Sequence, residues 1–195
     1  MKRIFRSALP LLIVGLVLGV GSVTQASGQV LNKILTRMDE HNKALTTLRA
    51  KVTMVKTNAQ LGGDSETNVG KVLYAKGKGR NPYVRIDWEK PEESLAVRDG
   101  QYVMYRPRLG VAYTGSTSSA PKGEAKSSSA LAFMNMSKAE LRANYEVVVV
   151  NESTTLSSGV RTWHLKLTPK IKTSYKSAEI WVDPDGMPHQ TKIIE

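Results

Sequence analysis

Three histidines, His41, His164 and His189, are the side chains of this chain suited to move protons or ligate metal near neutral pH. They fall in three different predicted elements. None is followed at i+2, i+3 or i+4 by a metal ligand. His164 lies beside Trp163 in an alternating segment and reads as a structural or surface histidine. Asp183 and Asp185 precede His189, but the order Asp183-Pro184-Asp185-Gly186 is turn chemistry. Ser119-Ala120-Pro121-Lys122 has the S-x-x-K spacing of a serine nucleophile with a lysine base. That pair needs one helical face, and Pro121 in a Ser/Gly-rich stretch opposes a helix. Glu92 and Glu93 sit in a predicted turn, where solvation explains them. No nucleophile elbow, phosphate-binding loop or dinucleotide fingerprint occurs. The chain has no cysteine, which excludes disulfides, thiolate metal sites and lipidation at a cysteine. The expectation is no catalytic set, no metal and no cofactor.

Other functions must then come from shape and surface. The chain has 195 residues, 41% hydrophobic and 23% charged, the composition of one globular domain. Lys2, Arg3 and Arg6 precede an apolar run from Leu9 to Val20, and Thr24-Gln25-Ala26 supplies small residues for cleavage. Residues 1–26 therefore read as a removable export signal, with retention as a membrane anchor the other reading, and 27–195 as a single domain outside the cytoplasm. Lys+Arg is 28 and Asp+Glu 17; without the three leader cations, 25 face 17, about +8. The density is highest at Lys76, Lys78, Arg80 and Arg85, too local for a nucleic-acid footprint. Export also removes nucleic acid as a partner and leaves anionic lipid as the surface such a protein meets. A solvated face is the plainer explanation of the charge.

The elements follow from periodicity. Gly28 to Leu48 has a helical period with Leu31, Ile34, Leu35, Met38, Leu45 and Leu48 on one face, and Ser27 as N-cap. Period two then predicts strands at Ala50–Val55, Val69–Lys76 and Tyr83–Trp88, and a hairpin of Leu95–Arg98 and Gln101–Arg106 around Asp99-Gly100. A short strand at Val111–Thr114 precedes a Ser/Thr/Gly/Pro-rich flexible segment, 115–129. Two short helices follow, Ala130–Met134 and Lys138–Tyr145, the second opened by a Ser137/Glu140 capping box. Glu146–Val150 reads as a strand with a continuous apolar run, and Arg161–Thr168, Ser177–Val182 and Gln190–Glu195 as further strands. The last one stops at Ile193-Ile194-Glu195 with no turn or polar tail, as a chain lacking later strands would. The fold class is α+β: a curved antiparallel sheet with a long N-terminal helix and two short helices against one face.

One stretch carries a resemblance. Leu73 to Pro107 contains Arg80-Asn81-Pro82, Arg85-Ile86, Lys90-Pro91-Glu92-Glu93, Asp99-Gly100 and Tyr105-Arg106-Pro107 in order. This resembles the outer-membrane lipoprotein carrier (LolA) family, and the leader, first helix, Leu131–Tyr145 and the Ala178–Glu195 hairpin agree in position. The resemblance implies an incomplete barrel whose helices cover an apolar cavity for lipoprotein acyl chains. It implies loading by an inner-membrane lipoprotein-releasing transporter and unloading to an outer-membrane lipoprotein receptor, by a monomer. The family's lid-latching arginine falls on Arg80, counting back from Pro91, with Arg85 the other candidate. Candidate lining residues are Leu31, Leu35, Met38, Val52, Met54, Val72, Tyr74, Trp88, Tyr105, Leu131, Phe133 and Met134; core packing is an equal explanation for each. The methionines suit acyl chains of varied shape. Two other readings are a periplasmic lipid- or lipoprotein-sensing regulator of similar fold, and an exported hydrolase, which the missing nucleophile and base disfavour.

Overall fold

The computed structural model describes residues 23–58, 63–77, 82–117 and 136–195. Helix α1 runs Val23–Ala44. The sequence places Leu48 on its apolar face, but the helix stops four residues earlier. The Leu45 N–H closes the last turn onto His41 O at 2.8 Å. From Thr47 onward alternating β-branched and basic residues favour strand pairing, and Leu48 lies opposite Tyr74 in a sheet.

Strands β1 (Thr47–Asn58) and β2 (Asp64–Ala75) pair in unbroken register, Thr47 opposite Ala75 and Asn58 opposite Asp64. The sequence starts β2 only at Val69. The polar stretch Asp64–Asn68 has no apolar alternation of its own and is strand because β1 lies beside it. Strands β3 (Tyr83–Glu89), β4 (Glu92–Arg98), β5 (Gln101–Arg106) and β6 (Val111–Ser116) continue the meander. Asp99 and Gly100 both take positive φ, 52° and 77°, the turn that matches strand twist in a two-residue hairpin.

Helix α2 (Lys138–Asn144) begins at the expected capping box: Ser137 Oγ accepts from Glu140 N, and Glu140 Oε2 accepts from Ser137 N at 2.9 Å. Strands β7 (Tyr145–Thr155), β8 (Arg161–Pro169), β9 (Ser177–Val182) and β10 (Pro188–Ile194) form a second antiparallel sheet in the order β10-β9-β8-β7. Strand β7 alternates in burial although its apolar run is continuous. Tyr145, Val147 and Val149 pack inward while Val148 and Val150 are half exposed, because one face of this sheet is covered.

The described residues therefore hold two antiparallel sheets and two helices, with no closed barrel. This corrects the expectation of one curved sheet. The expected helix Ala130–Met134 lies outside the described residues. Both helices contribute to the core of the four-stranded sheet: Ile34, Leu35 and Met38 of α1 and Leu141 of α2 join Tyr145, Leu165, Leu167, Ala178, Ile180 and Val182. Polar bonds dock α2 on α1. Lys138 N donates to Asp39 Oδ1, Lys138 Nζ to Thr36 Oγ1, and Arg142 Nη2 to Asn32 Oδ1. The Lys43 ammonium, 2.6 Å away, holds the Asp39 carboxyl below its usual range against the opposing effect of burial.

The β9–β10 turn is closed around one carboxylate. Asp183 Oδ1 accepts from both Asp185 N and Met187 N at 2.9 Å, and Oδ2 meets His189 Nε2 at 2.8 Å. Burial pushes the Asp183 carboxyl up, but the bonds from His189 and Met187 outweigh it and the net direction is down. A carboxyl depressed on folding adds stability above its unfolded value near ~3.9. That stability is lost as pH falls through the folded value. Asp183→Asn should therefore lower the melting temperature at pH 5–7, and the gap to wild type should close below pH ~3. A gap independent of pH in a calorimetric series would refute the carboxylate's role.

Candidate apolar binding face

The six-stranded sheet has one apolar face, built by cross-strand register. Directly opposed residues share a face. Ala50, Val72, Ile86, Leu95, Met104 and Tyr113 form one such row across all six strands. Leu48, Tyr74, Val84, Val97 and Tyr102 form the row on one side of it. Val52, Gly70, Trp88 and Glu93 form the row on the other, continued to Arg106 and Val111 through the Glu93–Arg106 ion pair, and Met54 faces Asn68 beyond that. Val72, Tyr74, Ile86, Trp88, Leu95 and Met104 are all buried. Gly70 is needed here for space: a Cβ would lie 2.4 Å from Asp87 O and 2.9 Å from the Trp88 ring, so the indole spreads over the bare backbone.

Among the described residues, the buried cluster of this face, Val72, Ile86 and Trp88 with Ala50, Val52, Met54 and Val84 around it, draws on β1, β2 and β3. The helices' apolar residues belong to the other cluster. The face is bounded on one side by an ion pair, Arg106 Nε to Glu93 Oε2 at 2.7 Å, with the Arg106 guanidinium also over the Tyr113 ring. The arrangement offers broad apolar contact with polar groups at one border. That suits contact with a flexible hydrocarbon.

The sequence's candidate residues separate accordingly. Val52, Met54, Val72, Tyr74 and Trp88 come together on this face. Leu31, Leu35 and Met38 do not join them; they pack against the four-stranded sheet. Tyr105 is opposite Ser94 and Ala112, on the outer face, and is half exposed. Its parity places it with Val103 rather than Met104, so the expectation that it lines the apolar face is corrected. Leu131, Phe133, Met134 and the latch candidate Arg80 lie outside the described residues. Arg85 is on the outer face too, its Nε 2.9 Å from Asp87 Oδ2, while Ser94 Oγ donates to Asp87 Oδ1. Arg85→Leu should leave acyl-chain binding within twofold of wild type, as this face does not meet the apolar one; a larger loss in a fluorescent fatty-acid titration would overturn that. Ile86, Val84, Leu95 and Met104 share this face and are not among the candidates read from the sequence. Their signal was parity: each stands two residues from another apolar position of its strand.

Two of the three histidines, His164 and His189, have carboxylate partners, while His41 Nε2 is buried without a hydrogen-bond partner among the described residues. His164 Nε2 meets Glu179 Oε2 at 3.0 Å, and its ring stacks on Trp181 with centroids 4.2 Å apart. No group of three or more His, Asp or Glu side chains able to hold a metal occurs among the described residues, and no helix among them is long and apolar enough to cross a membrane.

Neither a family model nor a curated protein sequence matches the chain. Solved structures do. A DUF1329 family protein from Desulfovibrio piger is 17% identical with a TM-score of 0.43, over 86% of this chain and 72% of that one. The MucA/MucB complex of Pseudomonas aeruginosa contains a chain 12% identical with a TM-score of 0.46, over 86% of this chain and 50% of that one. An outer membrane lipoprotein-sorting protein domain from Vibrio parahaemolyticus is 15% identical with a TM-score of 0.41, over 87% and 72%. A LolA superfamily protein from Nitrosomonas europaea is 14% identical with a TM-score of 0.36, over 83% and 70%. The structural neighbours of this chain thus include LolA-superfamily and lipoprotein-sorting domain proteins.

Proposed function

We propose that this protein is a periplasmic carrier that shields the acyl chains of lipoproteins between the inner and outer membranes. The observation that carries the reading is the apolar face of the six-stranded sheet, with a buried cluster separate from the core that the helices complete. A 16-carbon acyl chain loses about 12 kcal/mol in water, at ~0.8 kcal/mol per methylene, so a carrier must present comparable apolar area. Rows of Val, Ile, Leu and Trp supply it. Met54 and Met104 add side chains that can follow chains of different shape. The residues that resemble the lipoprotein carrier family and the export-type leader support the same role. In this reading an inner-membrane transporter supplies the cargo and an outer-membrane receptor takes it, and the protein performs no catalysis.

The test is recovery of cargo. The protein, expressed with its own leader in a Gram-negative host, is purified from the periplasmic fraction and extracted for mass spectrometry. Acylated lipoprotein or acyl lipid should co-purify in near-stoichiometric amount. Protein that emerges free of lipid, and fails to bind cis-parinaric acid after purification, would overturn the proposal.

A further inference from the structure

Strand β2 carries a polar group where the apolar face ends. Tyr74, Val72, Gly70, Asn68 and Glu66 share one parity and follow one another along its inner side. The first four are buried and Glu66 is exposed. Opposite them on β1 stand Leu48, Ala50, Val52 and Met54, and then Lys56 facing Glu66. The face thus passes from hydrocarbon, through one amide opposite Met54, to opposed charges. From Tyr74 to Asn68 is about 20 Å along the strand, longer than the ~15 Å hydrocarbon depth of one membrane leaflet.

Asn68 is 5% exposed. Among the described residues its side chain makes a single hydrogen bond, Nδ2 to Glu66 Oε1 at 3.3 Å, at the long end for such a bond. A carboxylate accepts and does not donate, so Glu66 fixes Nδ2 toward itself and Oδ1 away. The second N–H and Oδ1 are left over. Oδ1 is not sealed off, since His41 Nε2 is the one enclosed polar side-chain atom without a partner among the described residues. A nearly buried amide with one loose bond is half satisfied, and such a group calls for a partner from elsewhere.

We propose that Asn68 recognises the link of an acyl chain joined through an amide to an extended amino-acid residue. The chain lies on the apolar rows, and the residue leads out past Lys56 and Glu66. An extended residue presents its own N–H and C=O on one side, as paired strands do. The link N–H donates to Asn68 Oδ1, and the residue's C=O accepts from Nδ2. An ester-linked chain has no N–H to give and buries Oδ1 unpaired, the kind of loss that separates ligands most sharply. The inference rests on the acyl-carrier reading above and narrows it, from acyl lipid in general to N-acylated peptide.

Two probes that differ at one position test it: N-dodecanoylglycine N-methylamide, and the analogue in which an ester oxygen replaces the acyl-amide N–H. Displacement of cis-parinaric acid from the full protein reads the affinity of each. Wild type should bind the amide about tenfold more tightly than the ester, which loses one hydrogen bond and strands an acceptor. Asn68→Leu should bind the two alike and hold the ester at least as tightly as wild type does. It should also melt no lower, because an apolar side chain replaces a half-satisfied amide. A packing role alone would leave the amide-to-ester ratio unmoved. Equal affinity of wild type for the two probes overturns the assignment, leaves the acyl carrier standing, and needs no variant to show it. A tenfold preference that survives in Asn68→Leu or Asn68→Thr also overturns it. If wild type binds neither probe nor cis-parinaric acid, the acyl-carrier reading fails and this inference with it.

Discussion

Gly186→Ala should lower unfolding free energy by about 3 kcal/mol or more, among the largest costs available to a one-methyl change in this chain. Gly186 has φ 93°, a region that disfavours any side chain. Independently, a Cβ there would lie 2.2 Å from Arg37 O and 2.7 Å from Met38 N, both backbone atoms of α1. Backbone inside a helix cannot rotate away as a long side chain could. The β9–β10 turn would have to leave the helix, and that separates β9's Ile180 and Val182 from Ile34, Leu35 and Met38. Leaving the Asp183 bonds unmade would add to the cost. Urea denaturation compares the variant with wild type. Gly159, also at positive φ but with open space around it, is the control: Gly159→Ala should cost about 1 kcal/mol. Equal losses for the two variants would show that helix contact at Gly186 is not the cause.

Met54→Glu should reduce acyl-chain affinity at least tenfold while the protein stays folded. Met54 is only partly buried at the margin of the apolar cluster, so a carboxylate there can reach water when the face is empty. With an acyl chain on the face, the same carboxylate loses water and gains no partner, at a cost of a few kcal/mol. Tyr105→Glu is the matched control. Tyr105 lies on the same sheet but the other face, and should leave affinity unchanged. Titration with cis-parinaric acid reads both, and circular dichroism verifies folding. Equal affinity of wild type and Met54→Glu would remove this face from the binding site. Loss in Tyr105→Glu alone would move the site to the outer face.

Much of the local structure is decided by the chain itself. The Ser137/Glu140 capping box, the Asp99-Gly100 hairpin and the strand Ser177–Val182 are short-range features, each specified by residues a few positions apart. The same holds for the absence of cysteine chemistry and the leader-like order of residues 1–26. Strand pairing and layering are another matter. Whether Leu48 extends a helix or opens a strand depended on β2 lying beside it, because the i, i+3 spacing from Leu45 fits a helix equally well. The polar start of β2 is strand only through its partner.

Parity within a strand is legible from sequence, but which parity faces the core is not. Tyr105 and Met104 are neighbours of similar hydrophobic size, and only register against Leu95 and Tyr113 sends Met104 inward and Tyr105 out. The division of the apolar residues into two clusters is likewise tertiary. Leu35 and Val72 both read as buried, yet one completes the four-stranded sheet's core and the other the face of the six-stranded sheet. Hydrophobicity is non-directional: it demands that each apolar face be covered and leaves the choice of cover to chain topology.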